Sequence, residues 1–478
     1  MQLIGRQPAI AELERAYVSP RSALVSVVGR RRVGKTFLVN EVYAERIAFA
    51  VTGLQGASKT DQLRNFGLQL ATTFGGDARE HAHADWLPAL AALAEHLDKL
   101  LAADPVRRVV FFDELPWLAS RKSKFLMAFG WFWNSWAASR RVVVVICGSA
   151  VSWMIGKIIR AKGSLHNRIT HRIALYPFTL AETEAFLRTA GVSLDRYQIA
   201  LLYMATGGVP FYLEQVRAGE SAAQAIDRLL FRSSGPLRGE FDVLYAALFD
   251  NAAAHTAIVR ALAANTGGLT RTEVLAKAGL PTGGTSTRYL EELVLSGFVA
   301  ASPPFAGKKR NLLYRLIDEY SAFYLKFVEG AVAVGAGHFL QVAATPSYRS
   351  WAGLAFERLA MRHVDQLKAA LGIAAVYTQV ASYVARGSDE RPGVQIDLLI
   401  DRADRAISLV EAKFYDGEYV VTKAYAEQLR RKRARFREYT GTKKQLFWVL
   451  LTAFGLRQNR HSTGLVDTVL TLDALFGD

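Results

Sequence analysis

The chain has a single cysteine, Cys147, in 478 residues. One thiol excludes a disulfide framework and a thiolate metal centre, and it gives no sign of an oxidising compartment. No apolar run approaches the roughly 18 residues that a membrane span needs, and the N-terminus lacks the charged-then-apolar pattern of a secretory leader. A cytoplasmic protein with no membrane partner is the expectation. Negative charge is scarce too: 43 Asp and Glu stand against 59 Lys and Arg, a formal net charge of +16. That surplus points to an anionic partner, nucleic acid before others, although a protein that is merely basic would give the same sum. What the chain does have is length enough for about three domains, and 51% hydrophobic residues with which to fill them.

The stretch Gly29-Arg30-Arg31-Arg32-Val33-Gly34-Lys35-Thr36 fits G-x-x-x-x-G-K-[ST]. In such a loop, glycine-permitted turns aim backbone amides at a phosphate, the lysine reaches the β/γ oxygens and the hydroxyl ligates magnesium. The apolar run Ala23 to Val28 leads into it, and Phe37 to Tyr43 continues it with helix-compatible residues, as a strand-loop-helix phosphate site requires. ATP and magnesium are therefore the expected cofactors, with all eight loop residues in contact with the nucleotide.

Downstream, Arg107 to Glu114 reads as a buried strand ending in two carboxylates. Asp113 at the carboxyl end of a parallel strand would join Thr36 in the magnesium shell, and Glu114 would orient or deprotonate the attacking water. A further apolar strand, Arg141 to Cys147, closes on Gly148-Ser149; Ser149 is either a γ-phosphate sensor or part of a plain strand-end turn. The aromatic group Phe129, Trp131, Phe132, Trp133 and Trp136 reads as packing rather than base stacking. Arg168 and Arg172 are both candidates for the arginine that meets transition-state charge, with a surface role equally open to each.

Together with Gly5-Arg6, the Leu165 to Arg168 segment and Pro177-Phe178, these motifs resemble the archaeal-type ATPase family within the AAA-like (STAND) P-loop NTPases. The resemblance covers the first half of the chain. It implies a sheet with one strand inserted between the phosphate-loop and Asp-Glu strands, a helical lid after the core, and Arg168 as the finger arginine.

Helical patterns at Thr179 to Leu187 and Leu194 to Met204 end at Gly207-Gly208-Val209-Pro210. From about Gly239 come three short helices, near His255 to Ala264, Thr270 to Ala278 and Thr285 to Ser296, then a hairpin tipped by Lys308, Lys309 and Arg310. That order describes a winged helix-turn-helix, with Arg288 on the helix that would enter a major groove and the three tip residues near phosphates; the same module also serves as a protein-protein element.

In the last third, Val394 to Asp401 and Ile407 to Phe414 read as a strand pair. Asp397 begins the first strand; Glu411 and Lys413 share one face of the second, since side chains two apart point the same way. Two carboxylates converging with a lysine suit magnesium-dependent phosphodiester cleavage. The arrangement resembles the PD-(D/E)XK nuclease superfamily from roughly Ser350 onward, which implies Glu357, Asp397 and Glu411 as metal ligands and Glu411 and Lys413 as catalytic residues. The basic run Arg430 to Arg437 follows on a helical segment, a solvated face or a phosphate-neutralising one, with Gln428 able to face the same site.

The expected architecture is α/β and multidomain: P-loop ATPase core (1–178), helical lid (179–238), winged helix (239–330) and C-terminal nuclease-like domain (331–478). The expected function is an ATP-hydrolysing protein acting on DNA, whose nucleotide state controls the C-terminal nuclease. The alternative is a regulatory ATPase switch whose last domain binds DNA or a partner without cutting; a scaffold without nucleic acid is a third reading, and homo-oligomerisation is left open.

Overall fold

The computed structural model describes residues 3–120, 122–159, 163–305, 312–331, 337–385 and 392–477, with the backbone alone at Asp397. Lys308, Lys309 and Arg310 lie outside the described residues. The chain divides into two compact units, Met1–Tyr176 and Pro177–Asp478. No helix among the described residues is long and apolar enough to cross a membrane.

The first unit is built on a parallel sheet of β1 (Ala23–Val28), β2 (Ile47–Thr52), β3 (Arg108–Asp113), β4 (Val142–Gly148) and β5 (His171–Ala174), in the order β2-β3-β4-β1-β5. The strand inserted between the phosphate-loop strand and the Asp-Glu strand is β4. Strands β1 and β4 are buried along their whole length, as expected where helices cover both faces of a parallel sheet. Alternation along the strands feeds two cores. Val109 and Phe111 pack with Leu13, Leu38 and Tyr43 on one face, whereas Phe112 meets Phe125, Phe129 and Phe132 edge-on on the other. The aromatic group is therefore core: Phe129, Phe132, Trp133 and Trp136 are buried, and only Trp131 reaches solvent.

In the second unit, helices Leu180–Thr189 and Arg196–Thr206 come first; Gly207 caps the latter in the left-handed region and Pro210 opens the next helix. Beyond helices Ala222–Ile226 and Glu240–Leu248 come Ala252–Ala263, Arg271–Lys277 and Gly284–Leu295, with the expected capping box between Thr270 and Glu273. They accompany an antiparallel sheet of β6 (Leu269–Thr270), β7 (Val299–Ser302) and β8 (Leu313–Leu316), ordered β6-β8-β7.

The second five-stranded sheet contains β9 (Thr378–Ala385), β10 (Val394–Arg402) and β11 (Ala406–Lys413), with β10 antiparallel to both of its neighbours. After the short strand β12 (Tyr419–Val420) come β13 (Gln445–Thr452), β14 (Leu456–Arg457) and β15 (Thr468–Thr471). Strands β13 and β15 run parallel to β11, giving the order β15-β13-β11-β10-β9. Helix Pro346–Arg362 begins where Thr345 supplies its N-cap and Pro346 occupies the first turn, where a missing N–H does no harm. Asp397 also departs from expectation. It stands inside β10 rather than at its start, where the register with β9 shifts between Ile396 and Leu399.

Candidate functional site

The sheet register gathers the first site. Val28 pairs with Gly148 and Phe112 with Ile146, so the phosphate loop, Asp113 and Ser149 leave three neighbouring strands at one edge. Gly34 has φ 87° with open space where a Cβ would sit, so its glycine is set by backbone conformation. Gly29 is set by space: a Cβ there would lie 2.4 Å from the Leu175 carbonyl oxygen. Gly34 is also the N-cap of helix Lys35–Tyr43 without a side-chain cap, which leaves first-turn amides for an anion. Arg6 clamps the loop from outside, donating through Nη2 to the Val33 carbonyl at 3.2 Å and through Nη1 to the Tyr176 carbonyl at 2.5 Å. The Gly5-Arg6 motif flags this residue without revealing the clamp.

Inside the site, the Lys35 ammonium donates to the Arg30 carbonyl at 3.0 Å and to Ser149 Oγ at 3.1 Å. Ser149 in turn donates its hydroxyl to Glu114 Oε1, and its backbone N–H donates to Glu114 Oε2 at 3.0 Å. Thr36 Oγ1 donates to Asp113 Oδ2 at 2.8 Å. Glu114 reaches across to β4 from a left-handed backbone with φ 45°, a conformation that costs a residue with a Cβ on the order of 1–2 kcal/mol. Cys147 lies beneath, and burial pushes its thiol well above the ordinary range, with the Asp113 and Glu114 charges adding to the effect. Lys35, Asp113 and Ser149 are each 5% exposed or less. The donor set fits magnesium chemically, because a hydroxyl and a carboxylate already meet where a hard cation bound to phosphate takes oxygen ligands.

Of the remaining loop residues, Arg30 and Val33 are buried, while Arg31 and Arg32 are half-buried at the loop surface. Arg168 is exposed in a turn and Arg172 exposed on β5; neither is bonded to Lys35, Thr36, Asp113, Glu114 or Ser149.

The second site lies in the other unit. Glu357, Glu411 and Lys413 line one cavity of about 750 Å³ together with Gln428, Arg431, Lys432 and Arg435. Glu411 is only 2% exposed. Lys413 Nζ is 3.6 Å from Glu411 Oε2, so the two do share a face of β11. The pairing of Leu398 with Val410 makes Asp397 and Glu411 the next positions along the two strands; the side chain of Asp397 lies outside the described residues. Glu357 is held by its neighbours: Arg358 Nε donates to Glu319 at 3.0 Å, and Phe356 packs against Phe414 at 5.3 Å between ring centroids. Phe414, next to Lys413, stacks in turn on Tyr197 at 4.8 Å.

Sequence reasoning missed two groups on Glu411. Lys432 Nζ donates to Oε1 at 2.6 Å and the Tyr425 hydroxyl donates to Oε2 at 3.1 Å. Both come from helix Lys423–Thr440, which buries Ala426, Leu429 and Phe436. Tyr425 and Lys432 fall on that buried stripe at helical spacing, a signal present in the sequence but masked by the surrounding basic run. Among the described residues no three His, Cys, Asp or Glu form a metal-holding group. Glu357 and Glu411 on one cavity wall nevertheless offer the oxygen chemistry a hard divalent cation takes. Arg288 is exposed, with its guanidinium 3.6 Å from Glu292.

The parallel sheet, the loop and the carboxylates at its edge define a P-loop nucleoside-triphosphatase domain. Residues 3–216 match the model of an ATPase domain predominantly from Archaea. Over a longer span, an uncharacterized protein of Methanocaldococcus jannaschii is 22% identical over 417 residues, 86% of this chain and 88% of the relative. The Walker-type ATPase of Pyrococcus abyssi is similar in fold, with a TM-score of 0.51 and 19% identity over 68% of this chain and 96% of that one. The ORC2 protein of Aeropyrum pernix gives a TM-score of 0.40 at 17% identity, over 68% and 92% of the two chains, too weak a likeness to bear on function.

Proposed function

We propose that the protein binds and hydrolyses ATP at Lys35, and that the nucleotide state governs cleavage of DNA at Glu411 and Lys413. The observation that carries the first half is the connected set Lys35, Ser149 and Glu114 beside Thr36 and Asp113. In this reading, the Lys35 ammonium exchanges its neutral oxygen acceptors for β/γ-phosphate oxygens. Thr36 and Asp113 would hold magnesium, which when bound would supply positive charge toward the transferred phosphoryl group. Glu114, released from Ser149, orients the attacking water, and Ser149 follows the γ-phosphate. Arg168 stays a candidate finger supplied to a neighbouring copy, which its exposure permits.

The second half rests on Glu357, Glu411 and Lys413 lining one basic cavity. Glu357 and Glu411, with Asp397 beside them on β10, would hold a divalent cation, which when bound polarises a phosphodiester and lowers the pKa of water. Lys413 positions the nucleophile or neutralises developing charge. The three helices and small sheet between Ala252 and Leu316 act as a winged helix that presents Arg288 to DNA, and the chemistry of Lys308, Lys309 and Arg310 suits phosphate contacts.

A second reading, a switch that binds DNA or a partner without cutting, is favoured by two contacts: Lys432 and Tyr425 already occupy the Glu411 carboxylate. Incubating the full chain with single- and double-stranded DNA, with and without ATP, in magnesium or chelator separates the two. Cleavage that Glu411→Ala abolishes supports the nuclease; intact DNA in every lane supports the switch.

A further inference from the structure

In a motif of two carboxylates and one lysine, the lysine on the same strand is the expected partner of the acid. Here a second lysine makes the shorter contact. Lys432 Nζ is 2.6 Å from Glu411 Oε1, whereas Lys413 Nζ is 3.6 Å from Oε2. The Lys432 ammonium is not stranded there by chance of a floppy surface chain: it is 16% exposed, and its carboxylate partner 2%. It belongs to a different element, helix Lys423–Thr440, whose Gln428, Arg431 and Arg435 line the same cavity.

This geometry sets up a competition. An ammonium and a divalent cation at one carboxylate oxygen repel each other and need the same lone pairs, and low dielectric strengthens both effects. For the cation to bind, Lys432 must find another acceptor, since leaving a buried ammonium without one is costly. The acceptor of suitable chemistry is a phosphate oxygen. Arg431 and Arg435 flank Lys432 on the wall of the same cavity and would draw a nucleic-acid backbone to that place.

We propose that Lys432 exchanges between Glu411 and a backbone phosphate of bound nucleic acid, so that nucleic-acid binding and divalent-cation binding are coupled at this site. Reciprocity follows, each raising the affinity for the other by the same factor. Without nucleic acid the site is self-neutralised and resists loading, which guards a cell against idle cutting by a loaded enzyme. The inference rests on reading the cavity as a metal-dependent phosphodiester site.

Calorimetric titration of the full chain with Mn²⁺, without nucleotide, tests the idea independently of cleavage. Wild type should bind Mn²⁺ about tenfold more tightly when saturated with a DNA oligonucleotide. Lys432→Met should bind it without DNA as tightly as DNA-saturated wild type, and lose the response to DNA. Lys432→Arg, which keeps the charge, should retain the DNA response. Unchanged Mn²⁺ affinity in Lys432→Met, or no effect of DNA on wild type, overturns the coupling. Glu411→Ala separates the two levels of the argument: if it binds Mn²⁺ as wild type does, the ion sits elsewhere and the site reading itself fails, together with the proposal; if it loses the ion while Lys432→Met changes nothing, only the coupling fails.

Discussion

The two sites use lysine in opposite ways. At the first, Lys35 rests on a carbonyl and a hydroxyl, both neutral, and the nearby carboxylates of Asp113 and Glu114 are bonded to hydroxyls and amides. An incoming phosphate meets a cation with no counter-charge to displace. At the second, the buried Glu411 is itself the counter-charge of Lys432. A phosphate or a metal ion must there break an ion pair before it binds. On the proposed reading, the difference separates a site that accepts its ligand directly from one that requires two partners to arrive together, as a sensor and an effector would.

The contrast is broken most sharply by removing the lysine at the first site. Lys35→Ala should lower ATP turnover by about 10³-fold, as expected when a major electrostatic stabiliser of the transferred phosphoryl group is lost; a steady-state phosphate-release assay reads it. At the second site, Glu411→Ala or Lys413→Ala should reduce DNA cleavage by at least about 10²-fold while ATP turnover stays within twofold of wild type, measured on the same preparation.

His363 in the second unit is buried, donates through Nδ1 to the Leu359 carbonyl and accepts the Leu180 amide through Nε2 at 3.0 Å. Burial depresses its pKa from 6.5 to about 4. The neutral imidazole is the folded form, so stability is complete above pH 6.5 and falls as the unfolded chain takes up a proton that the folded one refuses. The loss should reach about 3 kcal/mol by pH 4. Thermal unfolding followed between pH 7 and 4 should show it, and His363→Gln should flatten that dependence. Ser149→Ala carries the smallest effect, about tenfold on kcat for ATP, since it frees both Lys35 and Glu114 from their resting partner without removing either.

How far the sequence reveals this molecule depends on whether the needed residues are contiguous. The phosphate loop is legible because eight adjacent residues and their flanking strand and helix carry the whole physical requirement. Asp113, Glu114 and Ser149 are legible as strand ends, yet their hydrogen bonds to Thr36 and Lys35 depend on a strand order that no local pattern encodes. The second site is harder. Glu411 and Lys413 follow from period-two alternation, whereas Lys432 and Tyr425 approach from a helix more than ten positions away. Their place on the stripe of Ala426, Leu429 and Phe436 marks them as inward-facing, but a run of six basic residues from Arg430 to Arg437 reads first as a solvated face. Asp397 stands inside β10 beside a register shift, which leaves no mark in hydrophobic pattern.

The most direct test compares wild type, Lys35→Ala and Glu411→Ala for cleavage of end-labelled DNA in magnesium, each with and without ATP. Wild type should cut with an ATP-dependent rate, Lys35→Ala should lose the ATP dependence, and Glu411→Ala should leave the DNA intact while still hydrolysing ATP. Magnesium-dependent cutting by Glu411→Ala at the wild-type rate would contradict the account.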